Sequence, residues 1–219
     1  MNKIQATTVI ETPIDGEFAK VILKTIEKAA RTCYKTECKI SQDSASDFVR
    51  KIAQVKKHES VIEHTHATVR FIIDRGISHE LVRHRLAAFS QESTRYCNYA
   101  KEGFGKEITI IDLATGFKYD LSNPKDVAKY AEWTAAMEDA EKHYLKMLDL
   151  GASAQEARSV LPNSLKTEVV MTCNMREWRH VFKMRCSKAA HPQIREVMIP
   201  LFEKFKAALP ELFDDIEIE

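Results

Sequence analysis

Residues 79–96 read HELVRHRLAAFSQESTRY, and this stretch carries most of what the sequence predicts about the fold and its site. Ser78 can cap a short helix that continues to about Ala88. Because consecutive helical residues point about 100° apart, the three residues 83–85 would face three directions, with apolar sectors between them. We therefore expect a helix enclosed on several sides, whose arginines need anionic or hydrogen-bonding partners.

The polar second half of this stretch adds a candidate anion site. Ser93 and Arg95 are two residues apart, so in an extended chain both side chains project to the same side. A hydroxyl beside a guanidinium suits a phosphate group. A structural alternative stays open, in which the arginines pair with Glu80 and Glu92 and His84 is a satisfied core histidine.

A second arginine-bearing helix is predicted from Met175 to Cys186. Its apolar face holds Trp178, Val181 and Arg185, whereas the cationic residues Arg176, Arg179, His180 and Lys183 occupy the opposite side. An unpaired guanidinium on an apolar face is costly. Arg185 therefore needs an acidic partner such as Glu168, or it meets a ligand.

The rest of the chain predicts an α+β fold, a single domain over residues 1–219 with packed helices and a mixed or antiparallel sheet. The longest helix should run from Pro124 to Leu150, because Asn123 suits its N-cap and Gly151 its C-terminal stop. Its stripe of Tyr130, Trp133, Met137, Ala140, Tyr144 and Met147 predicts core packing. Other strands are expected at Ile4 to Glu11, residues 67–74 and Thr167 to Cys173; other helices at Glu17 to Tyr34, Ser44 to Lys56 and Gln193 to Ala208; and a loop at His58 to Ser60.

The charge is balanced overall and uneven locally. The 33 Lys and Arg against 32 Asp and Glu give no support to general binding of nucleic acid or membrane surfaces. The segment from Arg158 to Arg195 is basic, however, which favours a small anionic ligand. The alternative is a solvated basic face balanced by the acidic segment from Glu211 to Glu219.

The five cysteines form no repeated C-x-x-C spacing, so we predict neither a disulfide framework nor a structural zinc site. No apolar run approaches the length of a membrane span, and the N-terminus lacks the apolar core of a signal peptide. These features predict a cytoplasmic protein.

In its motifs the chain resembles the flavin-dependent thymidylate synthases. Arg83-His84-Arg85, seven intervening residues and then Ser93 match the signature of that family, and the string from His79 to Tyr96 extends the match. Supporting resemblances follow in order along most of the chain: His58-Glu59-Ser60, Glu63-His64, Glu156-Ala157-Arg158, Leu161-Pro162, Asn174-Met175-Arg176, Arg185 and His191.

The resemblance implies a flavoprotein that binds FAD and the nucleotide dUMP, with sites formed where the subunits of a homotetramer meet. It implies these FAD contacts: Ser60, Arg83, His84, Arg85, Gln91, Asn174, Arg176 and His180. It implies these dUMP contacts: Glu80, Leu81, Val82, Arg83, Gln91, Glu92, Ser93, Thr94, Arg95, Arg158 and Arg185. The segment from Gln91 to Arg95 would come from a neighbouring subunit, and position 180 varies between His and Asn in the family.

The chemistry implied by the resemblance is a reductive methylation of dUMP to dTMP. NADPH reduces the flavin, and 5,10-methylenetetrahydrofolate supplies the carbon. Arg185 is the expected catalytic residue, since a permanent cation favours ionisation at N3 of the uracil and activates C5. Ser93 is assigned to substrate binding because no activating base is evident beside it. None of the cysteines lies in the motif, and no metal is expected.

Two alternatives belong to other classes. A metal-dependent hydrolase would use His64, His66, His79 and His84 as ligands, with Glu59 or Glu63 as the base. A nucleic-acid-binding module would use the arginine-rich helices, and its oligonucleotide affinity would depend strongly on salt.

Overall fold

The computed structural model describes residues 1–101, 103 and 105–218. The strands are β1 (Asn2–Ile4), β2 (Thr7–Ile10), β3 (His66–Asp74), β4 (Ala87–Gln91), β5 (Thr109–Ile111) and β6 (Lys166–Asn174). The α-helices are α1 (Gly16–Tyr34), α2 (Ala45–Arg50), α3 (Arg75–Leu81), α4 (Leu113–Gly116), α5 (Pro124–Asp149), α6 (Ala154–Ala157), α7 (Met175–Arg185), α8 (Pro192–Ala208) and α9 (Pro210–Phe213). Short 3-10 turns lie at Glu37–Lys39, Glu59–His64 and Arg158–Val160, and one π-helical turn lies at Lys51–Val55.

The strands form two sheets. Four of them pair in the order β2-β3-β6-β4, and β1 pairs in parallel with β5, with Asn2 opposite Thr109 and Ile4 opposite Ile111. The predicted α+β class, with packed helices and a mixed or antiparallel sheet, is confirmed. Among the described residues, no helix is both long enough and apolar enough to cross a membrane.

The described chain divides into two compact units. The first unit comprises residues 1–7, 71–83 and 90–170, and the second comprises residues 8–70, 84–89 and 171 to the end of the described chain. The single domain over residues 1–219 stays a prediction, and Glu219, the last acid of the acidic segment, lies outside the described residues.

In the first unit, α5 packs one face against a small core. The Asn123 side chain accepts a hydrogen bond from the backbone N–H of Lys125, Pro124 occupies the first turn, and Gly151 has a positive φ of 91° just beyond the helix. The predicted caps and bounds of this helix are therefore confirmed. Tyr144 is its buried residue, and three further stripe residues pack partly buried against the same core: Trp133, Met137 and Met147.

In the second unit, α7, α8 and α9 enclose an aromatic core. Phe182 lies at the centre of it, with ring centroids 5.2–5.8 Å from those of Trp178, Phe202, Phe205 and Phe213. The buried Trp178 indole donates to the backbone carbonyl of Ala67 at 3.1 Å, which satisfies its polar atom. This packing holds α7 against α8 and α9.

The predicted helix from Ser78 to Ala88 is wrong. The Asp74 carboxylate accepts from the backbone N–H of Ile77 at 2.7 Å, so the helix begins at Arg75 and places Ser78 inside α3. It ends at Leu81, and turns lead into β4, which pairs with β6. Strand pairing with a distant segment therefore overrides the local helical pattern, and residues 83–85 lie in a turn region.

Smaller differences concern the N-terminal third. The predicted first strand is two strands, β1 and β2, which belong to different sheets. The predicted helix from Ser44 to Lys56 is α2 followed by the π-helical turn, and the predicted loop at Ser60 lies in a 3-10 turn. The helices α1, α7 and α8 and the strands β3 and β6 lie within one or two residues of their predicted bounds.

Candidate active site

Three side chains of the second unit form a partly buried chain of contacts. The Arg185 Nε–H donates to Nε2 of His84 at 3.0 Å, and on the other side of the ring a Glu177 oxygen lies 3.4 Å from Nδ1. His84 is 4% exposed and Glu177 7% exposed, so water does not screen these contacts strongly. The His180 ring meets His84 edge-on at a centroid distance of 5.9 Å.

The His84 imidazole is neutral at physiological pH. Burial lowers its pKa from 6.5 to about 4, and electrostatic interactions with Arg185 and His180 act in the same direction. A neutral ring has one nitrogen lone pair with which to accept a hydrogen bond. One partner of Arg185 is therefore a histidine. Glu168, the acid suggested by the sequence, accepts from Lys166 at 2.7 Å in the first unit.

A cavity of about 520 Å³ opens beside this chain of contacts within the second unit. It is lined by Glu59, Glu63, Leu86, Asn174, Arg176, Glu177, Arg179, His180 and Lys183. Three predicted cofactor residues, Asn174, Arg176 and His180, thus lie together on its wall because α7 presents them on one flank. The volume is in the range of small-molecule sites.

Two of these lining residues already have fixed orientations. The Asn174 oxygen caps α7 by accepting from the backbone N–H of Glu177 at 2.8 Å, which leaves its NH₂ group as the donor that a ligand can meet. The half-exposed Arg176 guanidinium lies 2.5 Å from a Glu63 oxygen and 3.7 Å from a Glu59 oxygen. An anionic ligand that pairs with Arg176 would therefore displace these two carboxylates.

Arg179 lies on the predicted side of α7, with Arg176, His180 and Lys183, but unlike them it is buried. Its side chain is 1% exposed and makes two hydrogen bonds to Asp215, one to Glu59 and one to the backbone carbonyl of Leu212. Burial of Asp215 opposes its charge, but hydrogen bonds from Arg179 and Lys57 outweigh this and lower its pKa to about 2. Arg179 is thus a structural cation that ties α7 to the C-terminal segment.

In the first unit, the side chains of Gln91 and Glu92 are held by protein groups. The Gln91 amide donates to the Ser78 hydroxyl at 2.9 Å and to the Thr167 hydroxyl at 3.3 Å. The two Glu92 oxygens accept from the Tyr99 hydroxyl at 2.9 Å and from the Lys166 ammonium at 3.0 Å. These bonds anchor the start of the segment that carries the predicted nucleotide contacts.

Ser93 and Arg95 lie in a turn, which corrects the expected extended geometry. The Ser93 hydroxyl accepts from the backbone N–H of Arg95 at 3.3 Å, and the exposed Arg95 guanidinium donates to the Gln155 side chain at 3.2 Å. Gln155 is three residues before the exposed Arg158. The fold of the first unit therefore brings Arg95 to the segment that carries the second predicted cation, although the two lie far apart in sequence.

The other predicted residues differ in exposure. In the first unit Leu81 and Thr94 are buried, Glu80 is half-buried, and Val82 and Arg83 are exposed, whereas Ser60 and Arg85 of the second unit are exposed. Within the single chain the arginines of this region are exposed, and burial falls on His84 between them.

One group of potential metal ligands is present among the described residues, and it is His84, Glu177 and His180, with ligand atoms within 4.8 Å of one another. Of the four histidines that a metal-dependent hydrolase would use, this group contains only His84. The guanidinium bonded to the same imidazole opposes a second cation there.

Glu177 was missed by the sequence argument, although a signal was available. Asn174 and Glu177 have the N-cap and third-residue spacing that explains such an acid by capping alone. Glu177 also precedes Val181 by four residues and Arg185 by eight, so it borders the same apolar face. An acid on that border is a candidate partner for a buried base.

The sequence comparisons agree with one another. The family described as thymidylate synthase complementing protein (Thy1) matches residues 20–211. A flavin-dependent thymidylate synthase of Geobacter sulfurreducens is 32% identical over 85% of this chain and 78% of its own. The enzyme of the same name from Corynebacterium glutamicum is 35% identical over 96% of this chain and 84% of its own. The one from Pyrococcus abyssi is 33% identical over 83% of this chain and 73% of its own.

The chain belongs to the flavin-dependent thymidylate synthase family. The predicted family and the predicted enzyme class are therefore confirmed, and membership argues against the hydrolase and the nucleic-acid-binding module. A crystal structure of thymidylate synthase X from Helicobacter pylori with FAD and dUMP has a TM-score of 0.69 to this chain over 96% of it and 98% of the other, at 20% identity. That likeness supports the fold.

Proposed function

We propose that the chain converts dUMP to dTMP by reductive methylation, with FAD as its cofactor, 5,10-methylenetetrahydrofolate as the carbon donor and NADPH as the reductant. The family assignment carries the reaction class, and the Helicobacter pylori relative binds FAD and dUMP. Within the family reaction, the chain's own side chains bind, orient and stabilise charge.

The cavity of the second unit fits a flavin nucleotide. Its wall combines an amide donor, Asn174, with the cations Arg176 and Lys183 and the apolar Leu86, which suits an anionic ligand with a flat aromatic part. We assign the cofactor to this cavity together with four family-motif residues of the same unit: Ser60, His84, Arg85 and His180. Arg83 and Gln91 of the first unit stay proposed FAD contacts on the family motif alone. The bound flavin supplies the hydride that completes the methyl group.

The first unit holds the groups proposed to bind the nucleotide. Ser93, Arg95 and Arg158 offer one hydroxyl and two exposed guanidinium groups, the chemistry that a phosphate monoester requires. Glu92 fixes this segment through Tyr99 and Lys166. The remaining proposed nucleotide contacts are Glu80, Leu81, Val82, Arg83, Gln91 and Thr94.

The single observation that carries the proposed chemistry is the hydrogen bond from Arg185 to His84. A guanidinium held at Nε by a buried neutral ring keeps its full positive charge and one orientation. Such a preorganised cation stabilises negative charge as it develops on a uracil ring, which is the step that raises the reactivity of C5. We therefore assign the catalytic role to Arg185.

Assembly and location complete the proposal. We propose a homotetramer with shared sites, acting in the cytoplasm. The exposed positions of Arg83, Arg85 and Arg95 support shared sites, because arginines of a buried binding site must be covered by a ligand or by another subunit. Light scattering of the purified protein measures the assembly directly.

An anaerobic assay with dUMP, methylenetetrahydrofolate and NADPH tests the reaction. The wild-type protein should be yellow and form dTMP, and Arg185→Ala should retain its FAD while dTMP formation falls about 100-fold or more. Arg50→Ala is the matched control, since Arg50 pairs with Asp214 on the surface of the same unit. A colourless wild-type protein that leaves dUMP unchanged would overturn the function, and full turnover by Arg185→Ala would overturn the role of Arg185.

A further inference from the structure

The contact between Glu177 and His84 constrains which imidazole nitrogen carries the proton. Arginine offers hydrogen-bond donors and no acceptor, so Nε2 of His84 must present its lone pair to the Arg185 Nε–H. A neutral imidazole carries its single proton on the other nitrogen, which here is Nδ1. That nitrogen faces the Glu177 carboxylate at 3.4 Å.

We propose that Glu177 is a positioning residue for Arg185, holding His84 as the Nδ1-protonated tautomer so that Nε2 accepts from the guanidinium. The inference rests on the catalytic role proposed above for Arg185. In this arrangement an anion, a neutral ring and a cation lie in series, and each orients the next. Glu177 is not among the residues proposed to contact dUMP.

The opposite tautomer is disfavoured by the same geometry. With the proton on Nε2, two N–H donors would face each other across the 3.0 Å contact, and the Nδ1 lone pair would face a carboxylate. Both contacts would be repulsive in a buried site. The carboxylate of Glu177 therefore selects the tautomer that the hydrogen bond to Arg185 requires.

The Glu177 backbone has a separate structural role, which a side-chain substitution preserves. Its N–H donates to the Asn174 cap of α7, and this bond does not involve the carboxylate. Glu177→Gln thus removes the charge while it keeps the cap and the side-chain size. A glutamine can present either its oxygen or its NH₂ group to Nδ1, so only the bond from Arg185 still favours this tautomer and the preference is weaker.

The test combines kinetics with a direct measurement of the ring. For Glu177→Gln we expect kcat for dTMP formation to fall about 10- to 100-fold, with FAD content retained and with a much smaller change in KM for dUMP, since a positioned cation acts mainly on the transition state. Glu177→Asp keeps the anion and should recover part of the lost rate. Glu211→Gln is the matched control, because Glu211 is a buried carboxylate bonded to Ser46 in the same unit and should leave kcat unchanged.

Nitrogen NMR of ¹⁵N-histidine-labelled protein reads the tautomer without any turnover. The wild-type His84 ring should be protonated at Nδ1, and Glu177→Gln should shift it toward a mixture. An Nε2-protonated or doubly protonated wild-type ring, or a Glu177→Gln variant with wild-type kcat, would overturn the inference. A wild-type protein that forms no dTMP would instead overturn the proposed function, and the NMR comparison would still decide the tautomer.

Discussion

Replacement of His84 by glutamine should reduce the loss of folding stability that the protein shows when the solution is acidified. The folded chain keeps His84 neutral, because the ring is buried and accepts from Arg185. The unfolded chain binds a proton at the same residue below about pH 6.5. Acidification therefore favours the unfolded state, and glutamine, which keeps an acceptor oxygen, does not titrate.

The size of this effect follows from the two pKa values of His84, 6.5 in the unfolded chain and about 4 in the folded one. The unfolded state binds one proton more across this interval, and each pH unit then corresponds to about 1.4 kcal/mol. The part of the folding stability that depends on a neutral His84 is fully present above pH 6.5 and is lost as the pH falls to 4. The full loss is about 3 kcal/mol, of which about 2 kcal/mol lies between pH 7 and pH 4.5.

Urea unfolding at these two pH values, at one fixed protein concentration, measures this difference. The concentration must be fixed because self-association would add to the apparent stability. Between the two pH values His84→Gln should lose about 2 kcal/mol less than the wild type. The control is His143→Gln, which replaces an exposed histidine of α5 and should leave the pH dependence unchanged.

Equal pH dependence of the wild type and His84→Gln would refute the argument. It would mean that the folded chain binds a proton at His84 as readily as the unfolded chain does. The ring would then become charged below about pH 6.5, and in that range it could not accept from the Arg185 guanidinium. The hydrogen bond from Arg185 to a neutral His84 would then be refuted as well.

Two further predictions concern the supporting structure. Arg179→Met should lower the free energy of unfolding by about 3–5 kcal/mol, because it leaves the partly buried Asp215 without its main cation. The control Arg176→Met removes a half-exposed pair and should lower it by about 1 kcal/mol or less. Equal losses for the two variants in urea unfolding would contradict this. Asn123→Ala should destabilise the protein by about 1 kcal/mol through loss of the α5 cap, and Asn123→Asp should restore most of it, as thermal unfolding would show.

The sequence predicted those parts of the site that depend on local signals. The apolar spacing of α7 predicted this helix and the side that carries Arg176 without knowledge of any other segment, whereas Asn174 was named from the family motif. The fixed spacing from Arg83 to Ser93 carried the family, although the local geometry inferred for that stretch was wrong. A motif survives such an error because it depends on residue identity and not on the conformation assumed for it.

The partners of the buried charged side chains were out of reach of sequence patterns. Asp215 lies 36 residues from Arg179, and His84 lies 101 residues from Arg185. A helical wheel describes which face a side chain occupies, but not which distant group packs against that face. The burial of Arg179 against Asp215 was therefore not predicted, and neither was the contact between Arg185 and His84.

What the sequence alone determined is the set of elements with strong local signals, such as β3, α5, α7 and α8, together with the family and its motif residues. Tertiary structure decided the conformation of residues 82–91, where strand pairing of β4 with β6 replaced a plausible helix. It also decided that His84 is buried and neutral between an acid and a cation. Both outcomes depend on contacts between distant segments, whose free energy exceeds the small local preferences that a sequence pattern records.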